Sequence, residues 1–310
     1  MARIRKRPVT DSVFWAGIRL IRPWNVLMIV VAMGLITESL LLPAFGGKLP
    51  PHQQALFALG TLAIAALAAG ANVINDYFDV AEDRVNRPHR TFVGRVITRR
   101  QTLALNYALT GIAVLSSFTI SAAAKSILPA LWIVILGVLL WSYSPWFKRR
   151  FLRGNLIIAL SVGQLPLWCL VLLESRSFER WLEIFESTEG NILLGYVVLS
   201  GYITLLREIT KDWQDTEGDA LAGYDTLPVR WGPKRTKSLL HWMHFVGWLM
   251  IGITWWASIV LVHRPVAPLF FALPFLAVHI QLTRNQVTSV SAWQKLTLAG
   301  GLLYLTGFLA

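Results

Sequence analysis

The sequence has little cysteine and little charge, and both shortages narrow the class of protein. Cys169 is the single cysteine among 310 residues, so no intramolecular disulfide can form. Charged residues make up only 15% of the chain, against roughly 25% in ordinary soluble domains. Hydrophobic residues make up 55% of the chain, and its mean hydropathy is +0.54. This composition indicates an integral membrane protein.

Nine apolar stretches are long enough to cross about 30 Å of hydrocarbon as helices. Several contain Pro, Gly, Ser or Thr, which packed membrane helices tolerate. We therefore expect an all-α, polytopic fold in which residues 24–310 form a single domain of nine transmembrane helices. The stretches cover residues 24–43, 55–76, 102–124, 127–145, 154–173, 192–210, 238–262, 266–283 and 294–310.

Residues 1–23 form a basic segment before the first apolar stretch. Within it, residues 11–22 place Phe14, Trp15, Ile18 and Ile21 on one helical face, with Asp11 as the expected N-cap. This pattern is typical of an amphipathic helix that lies on a membrane surface.

The distribution of basic residues predicts the orientation in the membrane. With a cytoplasmic N-terminus, all but five of the 29 basic residues fall on the cytoplasmic side, where Lys and Arg are retained. We therefore expect a cell-membrane protein with its N-terminus inside. The net charge of +12 then follows from topology, and no nucleic-acid motif accompanies it. The five exceptions are Lys48, Lys125, Arg176, Arg180 and Arg264.

Two acidic clusters with the same spacing stand where apolar helices run into basic loops. Positions i, i+4, i+7 and i+11 share one narrow stripe of a helix. The clusters end the second and the sixth predicted helices, so both leave the membrane at the same face and can meet at the cytoplasmic boundary. The first stripe is Asn72, Asp76, Asp79 and Asp83, and the second is Glu208, Asp212, Asp215 and Asp219.

The side chains of these stripes are suited to magnesium. Carboxylates and an amide oxygen are hard ligands, and neither stripe contains the Cys or His typical of zinc sites. Mg²⁺ keeps several waters and takes few protein ligands, so substrate phosphate is expected among its partners. An acidic stripe at the edge of a bilayer also needs a compensating cation.

Basic residues next to the stripes predict a diphosphate substrate. They could neutralise its oxygens and stabilise it as a leaving group, although any one of them could also be an ordinary cytoplasmic loop charge. A diphosphate bound beside an apolar bundle suggests that a lipid tail lies among the helices. Departure of the diphosphate would leave an allylic cation for an acceptor to attack, so we expect a transferase. The residues are Arg87 and Arg90 after the first stripe, Lys148 and Arg149 after the fourth helix, and Lys211, which lies between Glu208 and Asp212 of the second stripe.

At these residues the sequence resembles the UbiA superfamily of intramembrane prenyltransferases. Asn75-Asp76-Tyr-Phe-Asp79-Val-Ala-Glu-Asp83 matches its first motif, and Asp215-Thr-Glu-Gly-Asp219 matches its second. The resemblance implies a central cavity, lateral access from lipid, and two Mg²⁺ ions that bridge the motifs to a prenyl diphosphate. By this resemblance, the residues expected to bind metal are Asn75, Asp79, Asp83, Asp215 and Asp219. Asp76 and Asp212 would support the metal or the acceptor. The residues expected to contact diphosphate are Arg22, Arg90, Lys148 and Lys211. Asn72 belongs to the stripe on geometry alone.

The motif details look most like the branch that transfers geranylgeranyl to geranylgeranylglycerol phosphate and forms an ether. One departure concerns the acceptor: many members continue Pro-x-x-Ser-Gly after the position of Arg90, whereas this chain reads Thr91-Phe-Val-Gly94-Arg95. Prenylation of an aromatic quinone or chlorophyll-type precursor is therefore the alternative activity. A cation transporter is the alternative outside enzymes, although the acids concentrate at one membrane face.

Overall fold

The computed structural model describes residues 12–86, 91–260, 266–284 and 286–307, and this part of the chain is all-helical. The all-α prediction is thereby confirmed. The helices are α1 (Val13–Ile21), α2 (Pro23–Ile36), α3 (Leu42–Ala44), α4 (Pro51–Phe78), α5 (Val80–Asn86), α6 (Arg99–Ala124), α7 (Leu128–Ser142), α8 (Arg153–Gly163), α9 (Leu165–Leu173), α10 (Phe178–Glu186), α11 (Thr188–Leu221), α12 (Leu227–Val260), α13 (Leu269–Thr283) and α14 (Val287–Thr306). Two π-helical turns, Thr37–Leu41 and Tyr143–Phe147, interrupt this series.

Six helical segments in the described ranges are long and apolar enough to cross a membrane. They coincide with the first six predicted stretches. The remaining three stretches correspond to α12, α13 and α14, of which α13 is apolar but only 15 residues long. The three further crossings, which would bring the number to nine, therefore stay a prediction. The six segments are Pro23–Ala44, Pro51–Phe78, Arg99–Ala124, Leu128–Phe147, Arg153–Leu173 and Thr188–Leu221.

The short helix α1 is amphipathic and lies across the end of α4. Its buried Ala16 and Leu20 pack with Val73, while Phe14 and Trp15 are 68% and 56% exposed. Ser12 is its N-cap, because the Ser12 hydroxyl accepts a hydrogen bond from the Trp15 amide. The expected N-cap, Asp11, lies outside the described residues. Because Ser12 is the N-cap, the helix begins one residue later than predicted.

Close packing of α8 against α11 positions part of the candidate site. A Cβ on Gly163 would meet the Val197 carbonyl oxygen at 3.0 Å, and one on Gly201 would meet the Ala159 carbonyl oxygen at 3.3 Å. Small residues allow membrane helices to approach this closely without a side chain between them. The consequence is that polar groups near the start of α8 reach the acidic stripe of α11.

Candidate active site

The two acidic stripes lie on neighbouring elements. The first stripe is interrupted at Asp79, where α4 ends and the chain turns into α5, and the Asp79 carbonyl accepts the Asp83 amide at 2.8 Å. The second stripe lies entirely on α11, which continues to Leu221. Because α5 packs against α11, the acidic end of the first helix lies beside the second stripe.

Lys148 lies between the carboxylates of the two stripes. Its Nζ atom is 2.6 Å from Asp79 Oδ2 and 4.0 Å from Glu82 Oε1. It also interacts electrostatically with Asp219. Asp79, Glu82 and Asp219 are each only 4% exposed. Burial alone would lower the pKa of Lys148, but the adjacent Asp79 outweighs it and the pKa is raised, so Lys148 is a permanent cation shared by both stripes.

The π-helical turn Tyr143–Phe147 aims Lys148 at Asp79. Pro145 has no amide hydrogen for the usual helical bond, and the Lys148 amide instead donates to the Tyr143 carbonyl at 2.7 Å. Gly154 packs against this turn, since a Cβ on it would lie 2.9 Å from the Lys148 Cα and 3.0 Å from the Tyr143 ring. The turn therefore has little room to move, and the Lys148 backbone is fixed.

Arg22 connects the start of α2 to the first stripe. Its Nη2 atom donates to Asp76 Oδ1 at 2.6 Å, and its charge also interacts with those of Asp79 and Asp83. Burial acts to lower the pKa of Arg22, but Asp76 and the other carboxylates raise it. Asn72 donates through Nδ2 to the Ile21 carbonyl at 3.1 Å. This bond gives Asn72 a packing role at the junction of α1 and α2.

The second stripe is held by polar partners from three elements. Asp212 Oδ2 accepts from Asn155 Nδ2 of α8 at 2.7 Å, and Asp219 Oδ2 accepts from the Thr226 hydroxyl at 3.2 Å. Buried Glu208 pairs with Arg207 at 2.7 Å and Lys211 at 2.8 Å. Lys211 therefore neutralises Glu208 in this structure, and its predicted contact with diphosphate stays a prediction.

The loop after α11 closes one side of the site. Tyr224 is buried and hydrogen-bonds to Glu82. Burial raises the pKa of the Tyr224 hydroxyl above its ordinary value, and the bond to Glu82 raises it further. The Arg149 guanidinium lies over the Tyr224 ring, 5.2 Å from its centroid, and the Arg149 carbonyl accepts the Asp225 amide at 3.0 Å. Arg149, predicted to bind diphosphate, thus also anchors this loop.

The oxygens in this region fit a sparsely ligated magnesium site. Asp79 Oδ1 is buried without a hydrogen-bond partner, and Asn75 Oδ1 accepts from the Ser144 hydroxyl at 3.0 Å. Asp83 and Asp215 are partly exposed. In the described ranges, no three His, Cys, Asp or Glu side chains form a ready metal cluster. Mg²⁺ generally takes few protein ligands and completes its shell with water and phosphate. Arg87 and Arg90 lie outside the described residues.

Three residues of this region were not predicted from the sequence. Glu82 lies between Asp79 and Asp83 and off their stripe, yet it is buried beside Lys148. Tyr224 and Asn155 contact the acidic residues only through the tertiary fold. The available signal for Glu82 was an additional carboxylate inside the first motif, at a helix end already rich in acids.

Known proteins with similar sequences and folds carry the same kind of domain. Residues 27–300 match the model of the UbiA prenyltransferase family. Digeranylgeranylglyceryl phosphate synthase from Methanobrevibacter smithii is 30% identical over 220 residues, covering 70% of this chain and 69% of that protein. A solved structure concerning digeranylgeranylglyceryl phosphate synthase in membranes aligns with a TM-score of 0.64 at 20% identity, covering 96% of this chain and 98% of its own. A UbiA homologue from Archaeoglobus fulgidus bound to GPP and Mg²⁺ aligns with a TM-score of 0.60 at 17% identity, covering 94% and 99%. At these identities the two structures show a shared fold.

Proposed function

The chain belongs to the UbiA prenyltransferase family, and we propose that it transfers a geranylgeranyl group from its diphosphate to the hydroxyl of a glycerol-phosphate lipid. The observation that carries this proposal is Lys148, a half-buried cation that contacts Asp79 of the first stripe and interacts with Asp219 of the second. Two acidic helix ends that share one cation form a single site for one charged headgroup.

The proposed roles follow from the positions of the side chains. The hard oxygen ligands of this region are matched to Mg²⁺, which when bound would supply positive charge to neutralise the diphosphate and assist its departure. Lys148 and Arg22 would contact the oxygens that gain charge as the diphosphate leaves, together with Arg87, Arg90, Arg149 and Lys211. The proposed metal ligands, for two ions, are Asn75, Asp79, Asp83, Asp215 and Asp219, with Asp76 and Asp212 supporting them.

The chemical step is the replacement of one carbon–oxygen bond by another. The bond between C1 of the prenyl group and the diphosphate oxygen breaks, and the diphosphate leaves with the electron pair. The acceptor hydroxyl oxygen then bonds to the allylic C1 and forms an ether, while its proton passes to the released diphosphate. Asp79, Glu82 and Asp219 are each only 4% exposed, so water has limited access to these carboxylates, and this would help to protect the allylic cation from hydrolysis.

The choice of acceptor rests on the relatives. The similar curated proteins bear the name digeranylgeranylglyceryl phosphate synthase, and the first of them covers more than two thirds of this chain. The segment that departs from the family pattern forms a compact turn, in which Gly94 adopts a φ of 76° and its amide donates to the Ile97 carbonyl at 2.8 Å. Phe92 and Val93 of this turn are buried against α1. Because this segment departs from the family pattern, an aromatic acceptor remains the alternative to test.

The placement in the membrane completes the proposal. The chain is an integral membrane protein of the family fold. We propose nine crossings around a central cavity in one domain, residues 24–310, after the amphipathic segment 1–23. The N-terminus and the acidic site would face the cytoplasm at the cell membrane, because most basic residues then lie inside.

An acceptor panel tests this function. The purified full-length protein in phosphatidylcholine vesicles is given geranylgeranyl diphosphate, Mg²⁺ and one acceptor at a time: geranylgeranylglyceryl phosphate, hydroxybenzoate, dihydroxynaphthoate or homogentisate. We expect a prenylated product with the glycerol-phosphate lipid alone. Product from an aromatic acceptor alone would overturn the acceptor assignment, and a folded protein without product from any acceptor would overturn prenyl transfer.

A further inference from the structure

A basic and aromatic groove lies on the surface of α12, apart from the acidic stripes. It has a volume of about 560 Å³ and is lined by Lys234, Lys237, Ser238, His241, Trp242 and Phe245. A neighbouring cavity of about 510 Å³ is lined by Ser238 together with Trp231, Arg235 and Leu239. None of these lining residues is acidic. The lining of the groove therefore differs in composition from the candidate active site, which is rich in carboxylates.

A kink in α12 concentrates positive charge in this groove. Gly232 adopts a φ of 77°, and the helix restarts at Pro233, so Lys234, Arg235 and Lys237 occupy its first turns. The buried Thr236 hydroxyl donates to the Gly232 carbonyl at 2.9 Å and fixes the kink. The positive end of a helix dipole thus adds to the cationic side chains at the same place.

The same face of α12 becomes apolar beyond the groove. Trp242, Phe245, Leu249, Ile253 and Trp256 follow one another at helical spacing and are 68%, 56%, 53%, 67% and 63% exposed. The apolar stripe from Trp242 to Trp256 is about 21 Å long. The Trp242 and Phe245 rings meet edge to face at 6.2 Å, where the basic and apolar parts join. Aromatic side chains prefer this boundary between headgroups and hydrocarbon.

We propose that this surface binds an anionic membrane phospholipid. Its phosphate would lie between Lys234 and Lys237, and its hydrocarbon chains would follow the apolar stripe from Trp242 to Trp256. The charge fits an anionic headgroup better than a zwitterionic one, because no lining carboxylate is present to pair with an ammonium group. Clusters of Lys and Arg at the end of a membrane helix attract anionic headgroups.

The proposed lipid site and the acidic site lie at the same end of the bundle. Thr226, which donates to Asp219, directly precedes α12, and Lys234 follows eight residues later, just after the kink at Gly232. The groove nevertheless contains none of the residues assigned to metal or diphosphate. Lipid binding can therefore be removed without removing prenyl turnover, and the two proposals can fail separately.

Native mass spectrometry of the full-length protein from nanodiscs tests the proposal. With equal amounts of phosphatidylglycerol and phosphatidylcholine, we expect wild type to retain one phosphatidylglycerol. Lys234→Gln/Lys237→Gln should weaken this binding about tenfold or more. Lys48→Gln/Lys125→Gln is the matched control, since it removes the same charge outside the groove and should bind like wild type. Turnover in phosphatidylcholine vesicles should be unchanged in both variants, which shows that they are folded.

Three results would overturn the lipid assignment. The first is equal retention of the two lipids by wild type. The second is equal phosphatidylglycerol binding by the groove variant and its matched control. The third is displacement of phosphatidylglycerol by soluble glycerol phosphate, because the groove would then recognise the phosphate group without the lipid chains.

Discussion

Replacing Lys148 with methionine tests whether one half-buried cation serves both acidic stripes. The substitution keeps the length of the side chain and removes the ammonium group that lies 2.6 Å from Asp79 Oδ2. Asp79 then loses its ion-pair partner while Glu82 and Asp219 remain nearby, all three of them buried. Removal of one partner from a buried pair costs about 3–5 kcal/mol, and the 22% exposure of the Lys148 side chain favours the lower end, about 3 kcal/mol.

The same variant should lose activity by a comparable factor. A cation that contacts the leaving diphosphate contributes on the order of 10² to 10³ in rate, so we expect kcat/KM for the prenyl diphosphate to fall about a hundredfold or more. Thermal unfolding in detergent and steady-state kinetics measure the two effects. Lys125→Met is the control, because it removes a lysine that forms no ion pair with the residues the structure describes, and it should leave both quantities unchanged.

A double variant separates electrostatics from a general defect in packing. Adding Asp79→Asn to Lys148→Met removes the unpaired charge, so stability should partly recover while activity stays low. An unchanged melting temperature and unchanged kcat/KM in Lys148→Met would refute the assignment of Lys148. Full additivity of the two stability losses would refute the pairing.

Three further predictions concern the same region. Asp79→Ala and Asp215→Ala should each abolish Mg²⁺-dependent turnover in a protein that still inserts and unfolds cooperatively, and wild-type turnover in either would contradict its proposed role. Gly154→Ala should displace the Lys148 backbone, since the added Cβ meets it at 2.9 Å; we expect KM for the diphosphate to rise while the helical circular dichroism stays unchanged. Because the pKa of Lys148 is raised, its stabilising contribution is complete below the ordinary lysine pKa and is lost only as pH rises through the still higher folded value. The stability difference between wild type and Lys148→Met should therefore be constant from pH 6 to pH 9, and a difference that disappears within that range would contradict the raised pKa.

The sequence predicted the parts of the fold and site that depend on local spacing. Apolar stretches indicated the six long membrane-capable helices, and the i, i+4, i+7 pattern placed Asp212 and Asp219 on one helix. The break at Asp79 was not predicted, because neither proline nor glycine marks it. The second stripe needed no such correction, since α11 continues through it.

Partners that come from distant segments were not predictable from spacing. Glu82 is buried because Tyr224 and Lys148 cover it, and neither residue is near it in sequence. Asn155 reaches Asp212 only because α8 and α11 pack closely. Lys211 has the type and position of a diphosphate ligand, yet Glu208 is close enough to pair with it. These features depend on tertiary packing.

The central claim is that Asp79 and Asp215 belong to one magnesium-dependent diphosphate site. Its most direct test is equilibrium binding of an unreactive geranylgeranyl thiodiphosphate to wild type, Asp79→Asn and Asp215→Asn, each with and without Mg²⁺. We expect that wild type binds tightly only with Mg²⁺ and that either substitution alone removes the Mg²⁺-dependent part. Binding that is independent of Mg²⁺, or that survives intact in either variant, would contradict it.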